Sequence, residues 1–191
     1  MSITSAKSGG TGISLALDNN YMEPIATTVV GSGGLSSSIV FTNIPSGYKH
    51  LQLRVHARNT RNAAGGDGPD MFLNGDLTAT NYSQHYLYGN GTDAAASGSV
   101  NAGSIYAIRI ATDGQTSNVF GESIIDILDY SNTNKYKTVR ALTGFDNNGT
   151  GSVWLTSSAW LSTDAVSTIT IGNYLYTWYQ GSRFSLYGIK G

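Results

Sequence analysis

Gly65-Gly66-Asp67-Gly68-Pro69-Asp70-Met71-Phe72 comes nearest in this chain to a metal-binding phrase. It fits G-G-x-G-x-D-x-apolar, the repeat that holds calcium between stacked turns of a β-helix. That chemistry needs neighbouring copies to share each ion, and the sequence carries one copy. The stretch is therefore expected to be a loop of turn residues. His50, His56 and His85 are the only histidines. His50 and His56 would lie on one face of a strand about 20 Å apart, too far to share a metal, and His85 falls in another segment with no acid beside it. Asp126 and Asp129 are a conceivable carboxylate pair for acid–base work. Their odd spacing in a strand sends them to opposite faces, and the pairing argued below offers each a basic partner.

No G-x-S-x-G, phosphate loop or His-Glu-x-x-His helix is present. The chain has no cysteine, so it has no disulfide and no thiolate ligand. Asn81-Tyr82-Ser83, Asn90-Gly91-Thr92 and Asn148-Gly149-Thr150 satisfy the glycosylation pattern but read as turns, because the opening residues lack the apolar run of a secretory signal. No catalytic residue, cofactor or metal is expected, and the chain reads as a non-enzyme. The densest aromatic group is Tyr174, Tyr176, Trp178 and Tyr179. It offers three roles: a subunit contact, packing on the core, or a platform for stacking sugar rings.

The elements that must carry these residues are strands. Phe120–Trp160 reads as three of them in a meander. Setting Tyr130 opposite Tyr136 puts Leu128 by Thr138, Asp126 by Arg140 and Ile124 by Leu142. The other face then pairs Asp129 with Lys137, Ile127 with Val139 and Ile125 with Ala141. One register satisfies both faces, apolar against apolar and acid against base. Asn148-Gly149 marks the next tight turn. Earlier, Leu51, Leu53, Val55 and Ala57 alternate with Gln52, Arg54, His56 and Arg58, giving a strand with one wet side. Further strands are expected at 25–30, 39–41, 71–73, 82–88, 104–111, 166–171 and 183–189. Long loops are expected at 59–70 and 89–103.

Composition agrees. The 191 residues include 24 Gly, charged residues make up only 12%, and the net charge is −1. Short strands and tight turns need such a composition, and it leaves no electrostatic footprint for nucleic acid. No segment approaches the roughly 20 apolar residues of a membrane helix. The expectation is an all-β, two-sheet antiparallel sandwich of jelly-roll type over residues 25–191, preceded by an extended arm over residues 1–24. Ile13, Leu15, Leu17, Tyr21 and Met22 are the arm's candidate contact residues. Ordering a glycine-rich arm costs about 1–2 kcal/mol per residue, so a partner must supply contacts that offset it.

Ile39–Tyr48 (IVFTNIPSGY), His50–Arg54 (HLQLR), Ile125–Thr138 (IDILDYSNTNKYKT) and Phe184–Gly191 (FSLYGIKG) together resemble small virion structural proteins of tailed bacteriophages. The opening SAKSGGTG is similar to N-terminal segments of phage tail-fibre proteins. The resemblance carries no catalytic motif. It implies a particle component made in the host cytoplasm and located in the virion. Its roles would be a capsid decoration or cement protein on the head exterior, anchored by the arm, or alternatively a tail module that binds host glycans. Its partners would be further copies of itself, as a homotrimer, and the major capsid protein or a tail protein, with no nucleic acid and no membrane.

Overall fold

A computed structural model describes residues 21–35, 38–172 and 175–191. The protein is all-β. In chain order the strands are β1 (Met22–Val29), β2 (Ile39–Phe41), β3 (His50–Asn59), β4 (Met71–Leu73), β5 (Tyr82–Gly89) and β6 (Ala94–Val100). β7 (Ala111–Thr112), β8 (Gly121–Leu128), β9 (Lys137–Asp146), β10 (Gly151–Trp160), β11 (Ile169–Ile171) and β12 (Arg183–Ile189) complete the set. They form two sheets of unequal size. The larger runs β1-β12-β3-β8-β9-β10-β5-β6, with the short β7 joined in parallel to the end of β3. The smaller runs β2-β11-β4.

Alternation decides which face each long strand buries. Leu51, Leu53, Val55 and Ala57 of β3 point inward, with Ile125 and Ile127 of β8 and Phe184 and Leu186 of β12. Ile39, Phe41, Met71, Leu73, Ile169 and Ile171 of the small sheet close over them. Each such side chain removed from water contributes about 1.5–3 kcal/mol, so this interior holds the sheets together.

The β8–β9 register is the one expected: Asp126 faces Arg140, Ile124 faces Leu142 and Ile127 faces Val139. The β9–β10 turn also forms as expected, with Asn148 and Gly149 at positive φ (56° and 90°). The ladder, however, ends at Leu128–Thr138. Asp129 adopts φ 48°, a left-handed conformation that Asp tolerates and that turns the chain out of the strand. Tyr130 is thereby swung into the core, while Tyr136 stays in solvent at 57% exposure, so the two tyrosines do not pair. The Asp129–Lys137 pair fails for the same reason. Asp129 takes Lys135 and Lys49 instead, and these two ammonium groups hold its carboxyl down at about 2. Lys137 is buried, and its Nζ donates to the carbonyls of Asn132 (2.8 Å), Lys135 (3.0 Å) and Thr163 (3.1 Å).

Three other expectations change. Residues 94–100 lie in the expected loop 89–103 yet form β6, because the free edge of β5 pairs with them in full register. Residues 104–111 are mostly buried and apolar, but among the described residues their backbone pairs with neighbouring backbone only through bridges at Ile105 and Ile110 and the short β7. This segment crosses so close to β8 that a Cβ at Gly121 would lie 2.6 Å from Ile110 Cα. Arg58 belongs to the expected wet face but is buried, its guanidinium donating to the carbonyls of Thr116, Val119 and Gln115.

Candidate functional site

The structure scatters the residues that sequence singled out. In the loop 65–72, the Asp67 carboxylate accepts from Asn59 Nδ2 at 2.6 Å and from the Arg61 guanidinium, and Asp70 accepts from Ser104 Oγ at 2.6 Å. Both acids are therefore held by protein donors. Gly66 is required by packing, since a Cβ there would lie 2.4 Å from Phe145 Cε1. The loop braces the fold through these contacts. His50 accepts from the Asp129 amide at 2.9 Å. His56 sits 3.2 Å from Glu122 and stacks on Phe120, and His85 lies on β5 four strands from β3. Among the described residues no group of three His, Asp or Glu is placed to hold a metal ion.

Trp178 is fully buried, meeting Phe184 edge-on at 5.0 Å, and so belongs to the core. Tyr179 lies on the Arg58 guanidinium at 5.3 Å and donates its hydroxyl to Asp113 at 2.6 Å. That hydrogen bond raises the Tyr179 phenol above its ordinary value. Tyr176 lies 5.7 Å from the Arg61 guanidinium. Tyr174 is outside the described residues, as are Ile13, Leu15 and Leu17. Of the arm candidates, Tyr21 is exposed. Met22 opens β1 opposite Ile189, so the last three residues of the expected arm belong to the sheet.

Two features emerge that sequence reading did not assemble. The first is on the outer face of the large sheet. Ile124, Leu142, Leu155 and Leu87 stand in one register row across β8, β9, β10 and β5. They are exposed by 44%, 53%, 50% and 54%, and at about 4.8 Å per strand the row spans about 14 Å. In the next row the strands carry Gly144 and Gly89 on either side of exposed Val153. The missing side chains leave a concavity of about 660 Å³ rimmed by Phe120, Ile124, Leu142 and Val153.

The second is an aromatic cluster on the opposite face, where β10, β5 and the segment before β7 meet. Tyr88 is directly opposite Trp154 across the β5–β10 ladder, and their rings stack at 4.3 Å. Tyr86 and Tyr106 pack on the same indole at 5.0 and 5.6 Å. The Arg109 guanidinium lies over it at 4.5 Å and over Tyr106 at 5.7 Å. Burial raises the Tyr106 phenol above its ordinary value. An adjoining cleft of about 480 Å³ is lined by Tyr88, Trp154 and Arg109, with Thr92, Thr150 and Ser152 among its polar wall residues. Tyr86-x-Tyr88 on one strand and a lone arginine within the apolar stretch 105–111 were the signals available in the sequence.

No protein-family model and no curated protein matches the chain.

Proposed function

We propose that this protein is a non-enzymatic structural component of a tailed-bacteriophage particle, a capsid decoration protein that works as a homotrimer on the head exterior. The observation that carries this reading is the exposed row Ile124–Leu142–Leu155–Leu87. Contiguous apolar surface on a sheet face is characteristic of protein contacts. The row is taken to meet a second copy of the chain, with the rim around Val153 receiving a side chain from the neighbour.

The strand β6 supports assembly as well. It closes the large sheet among the described residues, and its seven residues, AAASGSV, are exposed and carry no charge and no proline. Natural sheet edges are usually blunted by such residues, and an unblunted edge is suited to a neighbour. The resemblance to small virion proteins supports a location in the virion, where the arm and Tyr21–Met22 would provide the anchor to the major capsid protein. The alternative within the same reading is a tail module that binds host glycans.

The test is to image particles of the encoding phage after labelling with an antibody raised against the purified chain. Label on the head exterior is expected. Label on the tail replaces decoration with the host-binding alternative, and unlabelled particles overturn both.

A further inference from the structure

We propose that the cleft beside Trp154 binds an acidic saccharide, with Arg109 taking the ring carboxylate and Tyr88 the apolar face of a sugar. The inference stands apart from where on a particle the protein sits, and from the outer-face row.

Arg109 is the reason. Its guanidinium is fixed by the indole of Trp154 at 4.5 Å and the ring of Tyr106 at 5.7 Å. Neither aromatic contact satisfies its hydrogen-bonding fork. The Nε is buried without a hydrogen-bond partner. That nitrogen is sealed beneath the rings, but Arg109 also lines the cleft, and no acceptor among the described residues takes its terminal guanidinium nitrogens, which are the donors left for an external acceptor. The nearby loop cannot supply it: Asp67 has its carboxylate on Arg61 and Asn59, and Asp70 is held by Ser104. A planar carboxylate matches the guanidinium fork in two parallel hydrogen bonds, which a neutral hydroxyl cannot do.

The rest of the cleft points to a sugar. Its volume of about 480 Å³ falls within the range of small-ligand sites, about 300–1,000 Å³. Tyr88 contributes an aromatic surface, half-buried and held rigid by its stack on Trp154. Thr92 on a flanking turn brings a hydroxyl suited to a sugar hydroxyl, while Asn90 and Thr150 hold the two turns in shape through their own hydrogen bonds. The chain's net charge of −1 and the single arginine in the cleft do not suit a polyphosphate or nucleic-acid backbone.

The test uses the full chain and isothermal titration calorimetry. The probe is a tetrasaccharide of alternating glucuronate and N-acetylglucosamine, compared with the same tetrasaccharide after its carboxylates are reduced to alcohols. Saturable binding to the acidic form, weakened at least tenfold by carboxyl reduction, is expected. Arg109→Gln should produce a similar loss with the melting temperature of the protein retained. Should that variant fail to fold, Thr92→Ala on the exposed turn replaces it and should weaken binding about threefold. Equal binding of acidic and reduced forms overturns the proposal, as does no binding of either at about 1 mM. Acetate that competes as tightly as the tetrasaccharide would show a bare carboxylate site and would also overturn it.

Discussion

Trp160 Nε1 donates to Asp76 Oδ2 at 2.7 Å, joining the end of β10 to the turn that follows β4. Asn81 Nδ2 donates to the same oxygen at 2.8 Å and the Thr78 amide to the other at 2.9 Å. Burial alone would raise the Asp76 carboxyl, but these donors together outweigh it and hold the group at about 2. Trp160 is among the largest buried side chains, so its N–H depends on this one acceptor to escape an unpaired state in the core.

Asp76→Ala should therefore destabilise the protein by about 1–3 kcal/mol, the cost of leaving a buried donor unmade. The folded carboxyl titrates below its ordinary 3.8, so its contribution is present above that value and is lost as pH falls toward 2. Asp129 is held low as well and adds to the same acid limb. Urea melts from pH 5 to pH 2 should show the wild type losing stability across that interval, and Asp76→Asn losing less. An equally steep limb in Asp76→Asn would rule out Asp76 as a source.

Tyr130 and Tyr136 should respond oppositely to truncation. The Tyr130 hydroxyl donates to the Pro45 carbonyl, and the Tyr48 amide reaches the same hydroxyl at 3.4 Å. Tyr130→Ala should cost about 3–5 kcal/mol, as for other large aromatics in cores, and Tyr130→Phe about 1 kcal/mol. Tyr136→Ala should stay within about 0.5 kcal/mol because its ring is in solvent. Chemical denaturation of the three variants measures this. Comparable losses for the two alanine variants would restore a cross-strand tyrosine pair.

The contrast shows what sequence patterning reaches. The β8–β9 register was readable because apolar and charged matches on two faces constrain it independently, and a one-residue slip would break both. The end of the ladder was not readable, since one left-handed Asp129 redirects everything after it. β6 was hidden for another reason. Ala, Ser and Gly have little strand preference of their own, and the free edge of β5 imposes the strand on them. The segment 104–111 erred the other way, having strand-like residues that are buried by a close crossing at Gly121 with few ladder hydrogen bonds. Tyr88 and Trp154 meet through the β5–β10 pairing, and Arg109 reaches them from the crossing segment 104–111, held on Thr143 of β9; no local signal in the chain announces either contact. Trp178 takes the core role, one of the three that its aromatic-rich loop left open, and only the placement of its ring decides between them.

The apolar row on the outer face yields the last prediction. Leu142 and Leu155 are adjacent in the β9–β10 ladder and both are about half exposed. If the row joins copies of the chain, placing two carboxylates at its centre would bury like charges against an apolar partner, a cost of several kcal/mol on association. Neither leucine packs into the core, so the fold should lose no more than about 1 kcal/mol from the pair. Sedimentation equilibrium of the wild type should give a trimer, and of Leu142→Asp with Leu155→Asp a monomer with nearly unchanged melting. Arg183→Asp, on β12 and three strands from Leu142, serves as the control for added negative charge and should remain trimeric. A trimer that survives both leucine substitutions would place the subunit contact elsewhere, with the uncharged edge of β6 as the next surface to break. A wild-type chain that sediments as a monomer at all concentrations would remove the basis for reading the row as a contact between copies.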